Sequence, residues 1–305
     1  MPVSLAAVGS NATLSYVAET VFGTTPATPT TKYIRAKTGA KFDLKRDTFS
    51  SKEMSATRQV MGLTYGNRSG SGDLPFEFSY GSFDDFLEAV MGGTWTTDIL
   101  KVGNVKRSFT VEQGYPDIAI FEQNTGVTFT GLSLNVKPNA IVEGSFTHMF
   151  KDQTATATIC AAPTAAGTTP VYDAFTGILS EAGATLAIVT GIDIKLDQAA
   201  NASNVLFDPT AQQVSLGTVN VTGSLVVRFI SNTLKAKFLA GTTTDLSFTL
   251  GSGIALGNSY KFDMGSVKFT SASTDSGENE LTQTLAFTAI YDATDASSLV
   301  ITRIA

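Results

Sequence analysis

The sequence predicts an all-β protein made of two tandem β-sandwich or partial-barrel domains, each with one short α-helix. Three observations support this: a composition rich in Gly, Thr, Ser, Val and Phe, segments in which apolar and polar residues alternate, and a set of motifs that occurs twice in the same order. β-branched and aromatic residues favour strands, and a period of two is typical of a half-buried strand.

The repeat is carried by matched motifs at a nearly constant distance along the chain. Residues 72–78 and 223–229 both begin with Gly and hold Leu and Phe at the same places, and each runs into a short helix-like segment, 83–87 and 234–239. Further pairs follow in the same order: Gly93-Thr94 with Gly241-Thr242, Ser108-Phe109 with Ser247-Phe248, Gly126 and Phe129 with Gly265 and Phe269, and Phe146-Thr147 with Phe287-Thr288. Such an order predicts a duplicated domain.

The chain divides into four predicted segments. Residues 1–31 form an extended N-terminal arm, since prolines within it fix φ and lack a backbone donor. An arm of this kind needs something outside its domain to hold it. Residues 32–160 form the first domain, residues 161–172 a linker of small residues, and residues 173–305 the second domain.

Local patterns place one long loop and one helix in the first domain. The polar stretch 46–58 is predicted to be a loop, with 198–211 as its counterpart, and loops longer than about 12 residues are usually functional. A helix is predicted over 82–91, capped by Ser82 and ended by Gly92. Its apolar face consists of Phe83, Phe86, Leu87 and Val90. Separate strands are expected at 117–122, 126–136, 258–263 and 266–271.

Composition and motifs disfavour chemistry. The formal charge of −6 makes the chain a poor binder of nucleic acid, because phosphate affinity comes from Lys and Arg. A nucleophilic triad would have to use His148, the only histidine, which is expected to be an exposed or half-buried strand residue. Cys160 is the only cysteine, so an intrachain disulfide is excluded. We therefore predict no catalytic, cofactor-binding or metal-binding residue, and no apolar run reaches the ~20 residues of a membrane helix.

The two predicted helices carry opposite charges. The first has Asp84 and Asp85, and the second has Lys235 and Lys237. One interpretation is two independently solvated faces. The other is that the helices lie near one another between neighbouring domains, where opposite charges favour alternation of unlike copies.

Several segments resemble the major tail tube proteins of bacteriophages with long, non-contractile tails. They are residues 16–29, 80–89, 107–112, 189–194 and 221–225, and the resemblance covers essentially the whole chain. It implies that one sheet of each copy joins a β-barrel shared by several chains, and that stacked rings form a tube through which DNA passes. It further implies a virion protein assembled in the bacterial cytoplasm. Its partners would be other copies of itself, a tape-measure protein and tail-tip and terminator proteins, with transient, sequence-independent DNA contact and no membrane.

In this family, contacts between rings come from extended arms and long loops. With the charged helix positions included, the candidate contact residues are Phe22, Pro26, Pro29, Arg46, Lys52, Glu53, Arg58, Asp84, Asp85, Lys235 and Lys237. Rings of the family contain six tube domains, so two copies per chain imply a trimeric ring with pseudo-six-fold symmetry. A ring of six chains, with the second copy as an outward decoration, is the alternative. An acidic wall would let DNA slide.

The sequence is also compatible with two other classes of function. A two-domain β-sandwich adhesin, or a tail-tip or fibre binding module, would expose clusters of aromatic residues in its loops. The loops of this chain are rich in Ser, Thr, Gly and charged residues instead. An enzyme of another class is disfavoured by the missing motifs.

Overall fold

The computed structural model describes residues 6–54, 56–174, 177–251, 258–275 and 280–304. Within these ranges the chain forms nineteen strands and two α-helices, α1 Asp84–Met91 and α2 Thr233–Ala240. The strands of the first half are β1 Thr13–Ala18, β2 Lys32–Tyr33, β3 Asp43–Ser50, β4 Leu63–Glu77, β5 Ile99–Lys101, β6 Phe109–Tyr115, β7 Ile120–Val136, β8 Glu143–Phe150 and β9 Asp152–Thr156. Those of the second half are β10 Gly177–Glu181, β11 Ala184–Thr185, β12 Val189–Asp197, β13 Asn201–Ser203, β14 Gln213–Ser215, β15 Asn220–Arg228, β16 Thr244–Leu250, β17 Ser259–Thr274, β18 Thr282–Ala289 and β19 Val300–Ile304. The predicted all-β class with one short helix in each half is confirmed.

Each half is built from two sheets that share one long strand. In the first half β7 belongs to both the sheet β3–β4–β8–β7 and the sheet β2–β1–β6–β7–β9. In the second half β17 does the same, in the sheets β12–β15–β18–β17 and β11–β10–β16–β17–β19. The duplication suggested by the motifs is therefore present in the strand pairing, while the predicted domain boundaries stay predictions.

The two shared strands are irregular at the same place. The pairing of β7 with β8 shifts between Phe129 and Gly131, and that of β17 with β18 shifts between Phe269 and Ser271. A bulge bends a strand and increases its twist. Each long strand can therefore turn from one sheet of its half into the other.

The strand register corrects one of the motif matches. His148 pairs with Phe129 and Gly72, and Phe287 pairs with the counterparts Phe269 and Gly223. His148 is therefore the structural counterpart of Phe287. The sequence match of Phe146 with Phe287 was wrong by two residues, because a similar aromatic pattern occurs at two positions of the same strand.

The repeated glycine is explained by a close approach between strands. A Cβ atom at Gly72 would collide with the carbonyl oxygen of Lys41, and one at Gly223 would collide with the carbonyl oxygen of Asp193. Both positions also lie against the ring opposite, His148 in the first half and Phe287 in the second. Only glycine leaves room there, which explains why this motif was the clearest sign of duplication.

Helix α1 packs on an aromatic core. The ring of Phe86 lies 4.5 Å from that of Phe129 and 5.7 Å from that of Phe146, measured between centroids. The predicted end at Gly92 is confirmed by its left-handed backbone, but the predicted cap at Ser82 is wrong. The Ser82 hydroxyl instead accepts a hydrogen bond of 2.8 Å from Ser79, and the helix begins two residues later.

Two predicted loops and two pairs of predicted strands differ from the structure. The stretch 46–58 is not one loop, because β3 continues to Ser50 and pairs with β4 as a long hairpin whose connection is 51–62. Its counterpart 198–211 contributes the strand β13, which pairs with β14. The strands expected at 117–122 and 126–136 are joined in β7, and those at 258–263 and 266–271 are joined in β17.

Candidate assembly surfaces

The two halves of the chain are joined edge to edge by a sheet. Residues 131–136 of β7 pair antiparallel with residues 192–197 of β12. The result is one continuous run of eight strands in the order β3–β4–β8–β7–β12–β15–β18–β17. Across this joint the Asn135 side chain donates a hydrogen bond to the Asp193 carboxylate, and Leu134 and Leu132 are buried opposite Ile194 and Leu196.

Both outer edges of this eight-stranded run are open. Among the described residues, β3 pairs with β4 and with no other strand, and residues 268–274 of β17 pair with β18 alone. An open edge presents unpaired backbone donors and acceptors and is a template for another strand. Each of the two outer strands of this sheet, β3 and β17, can therefore accept a further strand.

One face of this sheet packs on the core and the other is exposed. The exposed face is an open concavity at the joint, lined mainly by small polar side chains: Ser133, Asn135, Thr222, Ser224, Thr270 and Thr288. Acidic and basic residues are interspersed there, namely Glu143, Asp193 and Lys195. A mixed, mostly hydroxyl surface of this kind holds no concentrated positive charge.

The β3–β4 hairpin carries exposed apolar side chains. Phe49, Leu63 and Tyr65 are 62 %, 58 % and 61 % exposed, and Arg46 stacks on the Tyr65 ring at 4.5 Å. The candidates Lys52, Glu53 and Arg58 are exposed in its connection. At the foot of the hairpin the Arg68 backbone N–H donates to the Pro209 carbonyl at 2.7 Å. The hairpin and the loop 204–212 therefore lie together at one end of the sheet.

The described part of the N-terminal arm is held by its own chain. Strand β1 pairs with β6, and Tyr16 and Val17 are buried. The Glu19 carboxylate then accepts four hydrogen bonds of 2.7–2.9 Å, from the Gly23 and Gly126 N–H groups and the Ser108 and Thr110 hydroxyls. The expectation that only an outside partner holds this arm is therefore wrong for residues 13–25.

The three arm candidates lie beyond that anchor. Phe22 packs against Gly126 beneath the Lys151 ammonium, whose nitrogen is 5.9 Å from the ring centroid. Pro26 and Pro29 are half-buried. Thr31 ties the end of the arm to the linker, where its hydroxyl donates to the Ala161 carbonyl at 3.2 Å. Contact of these residues with another chain stays a prediction.

The acidic residues of α1 have partners within the chain. Asp84 accepts a hydrogen bond from the Tyr260 hydroxyl and forms a 2.8 Å ion pair with Arg303, so it joins the first half to the second. Asp85 accepts from the Tyr16 hydroxyl at 2.7 Å and lies 3.5 Å from the Lys32 ammonium. These carboxylates thus hold the arm and the second half.

The same cluster is reinforced by an aromatic stack. The Arg303 guanidinium lies 4.3 Å from the Trp95 ring centroid and also pairs with Asp98 at 2.9 Å. Burial, followed by the Asp84 carboxylate, raises the pKa of Tyr260, so the phenol stays protonated and donates. The first and second halves are therefore locked at α1 as well as at the β7–β12 joint.

The basic residues of α2 are arranged differently. Lys237 forms an ion pair with the buried Glu181 of β10, and Lys235 is half-buried. The structure does not bring Lys235 and Lys237 together with Asp84 and Asp85 within one chain; whether they meet between chains stays a prediction.

The residues considered for chemistry are in structural positions. His148 is fully buried rather than exposed, which corrects the expectation, and burial lowers its pKa to about 4. Burial raises the pKa of the Cys160 thiol, so that group is a poor nucleophile at neutral pH. Within the described ranges, no cluster of three or more His, Cys, Asp or Glu side chains is arranged to hold a metal ion.

Membrane insertion through a helix finds no support in the described part of the chain. Neither α1 nor α2 has the length and apolar character that a membrane crossing requires.

Sequence reasoning missed the residues that join the halves. Tyr260 and Arg303 were not singled out, and neither was Glu19, which anchors the arm within the first half. Polar contacts between distant segments leave no local periodicity. The equivalent strands β3 and β12 did leave a signal of their strand character, because residues 41–45 read Lys-Phe-Asp-Leu-Lys and residues 193–197 read Asp-Ile-Lys-Leu-Asp, so charged and apolar residues alternate in both.

These features define a structural β protein with a duplicated sandwich, open sheet edges and an exposed apolar hairpin. A search of curated protein sequences finds no match. The family model described as phage tail tube protein matches residues 9–289, and the chain therefore belongs to that family. This is a family of structural virion proteins that assemble into a polymeric tube, and the resemblance inferred from the sequence is confirmed.

Proposed function

We propose that three copies of this chain close into a ring with pseudo-six-fold symmetry, and that stacked rings form the tail tube through which genomic DNA enters the host. The observation that supports this proposal is the β7–β12 joint, because it pairs the two halves of one chain through strands that successive chains could pair in the same way. Repeating that contact between the open edges of successive chains would close the sheet on itself.

The strand number suits a conduit. Eight strands from each of three chains make a barrel of twenty-four strands. With neighbouring strands about 4.8 Å apart and tilted by 35–45°, such a barrel measures on the order of 45–50 Å between opposite backbones. That width accommodates a DNA duplex together with the side chains that line the wall.

The exposed concave face would form the wall of this bore. Its small hydroxyl side chains and interspersed Glu143, Asp193 and Lys195 offer no continuous basic surface. Phosphate affinity depends on the number of Lys and Arg contacts, so weak contacts of this kind let DNA slide.

The β3–β4 hairpin is proposed to contact the next ring. Its apolar side chains project from one end of the sheet, whereas Phe229, Ile230 and Leu281 are exposed at the opposite end. Stacking would bring these two apolar surfaces together and remove both from water. The arm and the remaining charged candidates would add contacts around this site.

The wider setting follows from the family. We propose assembly in the bacterial cytoplasm, with a tape-measure protein inside the growing tube and tail-tip and terminator proteins at its ends. The adhesin alternative predicts clusters of exposed aromatic residues in loops, and Phe207 is a single exposed aromatic residue in one loop. Assembly of the purified protein separates the two functions, because an adhesin forms no tube.

Negative-stain electron microscopy of the purified chain tests the proposal. We expect hollow filaments whose end-on averages, computed without imposed symmetry, show two alternating kinds of domain. Strict six-fold identity would refute the trimer, and the absence of filaments at all concentrations would refute the tube. A Phe49→Ser, Leu63→Ser variant is expected to form rings that stack poorly. Ile178→Ser, which alters an exposed apolar residue of the outer sheet, is the matched control and is expected to stack normally.

A further inference from the structure

The open edges of β3 and β17 offer one pair of opposite charges, since Lys41 lies just before β3 and Asp275 lies just after β17. Pairing with the neighbouring strand places Lys41, Asp43 and Lys45 at the positions that Asp193, Lys195 and Asp197 occupy in the second half, because Gly72 and Gly223 lie against Lys41 and Asp193. Every charge in this set of three is reversed between the halves.

The strand that would pair with β3 differs from β7 in a charge that complements Lys41. Asn135 of β7, which donates to Asp193 within the chain, corresponds to Asp275 at the end of β17, because Gly131 corresponds to Ser271 at the shared bulge. An acidic Asp193 thus faces an amide donor, and the basic Lys41 would face a carboxylate.

We propose that β17 of one chain pairs antiparallel with β3 of the next chain in the register Lys41 with Asp275, Phe42 with Thr274, Asp43 with Ser273 and Leu44 with Ala272. The inference rests on the proposed ring. Another molecule of the same protein then occupies each open edge, and these four residue pairs meet between the two molecules.

Backbone hydrogen bonds give an independent condition that this register satisfies. The Lys41 N–H donates to Asp73 of β4, and the Asp275 N–H donates to Thr282 of β18. Successive residues of a strand direct their backbone groups to opposite sides, so Phe42 and Thr274 face the two open edges. The register pairs these outward-facing residues with each other, whereas a shift of one residue would pair an outward-facing residue with an inward-facing one.

The position of Arg46 on β3 also agrees with the proposed register. Within the chain, Gln198 follows β12 and donates to the Ala89 carbonyl at 3.0 Å, in the last turn of α1. Arg46 occupies the equivalent place on β3. The register would bring it to the last turn of α2 in the preceding chain, where a cation favours the carbonyl end of a helix. The helix end there is uncovered, since Leu239 is 70 % exposed whereas its counterpart Val90 is fully buried.

A disulfide cross-link tests the register in assembled tubes. In a Cys160→Ala background, Asp43→Cys and Ser273→Cys are combined; both positions are exposed, and non-hydrogen-bonded partners have Cα atoms about 4.5 Å apart, within disulfide range. The control combines Asp43→Cys with Ser271→Cys, two residues out of register. We expect oxidised tubes to give covalent dimers and trimers on non-reducing gels for the first pair and at least tenfold less for the control.

The outcomes separate the register from the ring. Tubes that form but cross-link only in the control, or in neither variant, overturn the register and leave the tube intact. A covalent ladder that continues beyond three chains supports the register and refutes the trimer. Failure of the unmodified chain to form tubes would refute both the register and the proposed ring. As a second measurement, Lys41→Asp alone is expected to raise the critical concentration for assembly up to about fivefold, and Lys41→Asp with Asp275→Lys to restore it; an unrestored double variant counts against the pair.

Discussion

Replacing His148 with Phe is expected to stabilise the folded chain, and the gain is expected to grow as the pH falls. The imidazole is fully buried, with the Phe42 ring 4.4 Å away between centroids, and neither ring nitrogen makes a hydrogen bond of good geometry. Phe already occupies the equivalent position 287 in the second half. An unsatisfied buried polar group costs about 1–3 kcal/mol, which is the gain expected at neutral pH.

The pH dependence follows from the buried imidazole. Desolvation lowers the pKa of His148 to about 4 from the ordinary 6.5, and the Asp73 carboxylate and the Phe146 backbone oppose this only in part. Between these two values the unfolded chain binds the proton and the folded chain does not, so the parent protein loses stability as the pH falls from 6.5 to 4. The loss reaches on the order of 3 kcal/mol, and a Phe side chain removes it.

Urea denaturation of the unassembled protein at pH 7 and pH 4.5 measures both the stability gain at neutral pH and the additional gain in acid. The difference in unfolding free energy between His148→Phe and the parent should rise by about 2–3 kcal/mol at the lower pH. Phe287→His is the reciprocal control and should lose stability, with a loss that deepens in acid. An equal gain for His148→Phe at the two pH values would refute the buried neutral imidazole as its source.

Two further predictions concern the Asp84 cluster, which links the two halves, and the repeated glycine. Asp84→Ala, which leaves Tyr260 and Arg303 without their shared carboxylate, is expected to lower the unfolding free energy by about 2 kcal/mol, measured by urea denaturation; an effect no larger than that of the exposed-site variant Lys52→Ala would contradict the role of this cluster. Gly72→Ala and Gly223→Ala are each expected to cost about 1–3 kcal/mol, because the added methyl group would collide with a neighbouring strand. Gly9→Ala, whose Cβ would meet open space, is the control, and equal melting temperatures for all three variants would contradict the steric argument.

The sequence predicted the architecture well because the determinants are local. Alternation marked most strands and Gly92 ended α1, and both features depend on residues close in the chain. The glycine at 72 and 223 marked the duplication because the same close approach between strands occurs in both halves. The hairpin at 46–58 was missed because its strands are exposed on both faces and carry mostly polar residues, so no alternation distinguishes them from a loop.

The positions of the candidate residues were less accessible. Asp84 was recognised as a charge at a helix start, but its partners Tyr260 and Arg303 lie more than 170 residues away along the chain. His148 was expected to be exposed or half-buried, although Phe146 and Phe150 lie on the same face of its strand and are buried. The register against Phe129 and Gly72 confirms that it points into the core. Pairings of this kind depend on tertiary contacts that the local pattern does not encode.

The β7–β12 joint has a consequence for how rings begin and how they evolve. In the proposed ring half of all domain contacts are made when the chain folds, so nucleation requires the encounter of three molecules rather than six, and tethering gives the joined domains a high effective concentration. Because the two halves are separate parts of one encoded chain, each half can acquire its own substitutions. A substitution in one half appears at alternate positions around the ring, so the two halves can diverge separately, as the pair His148 and Phe287 has done.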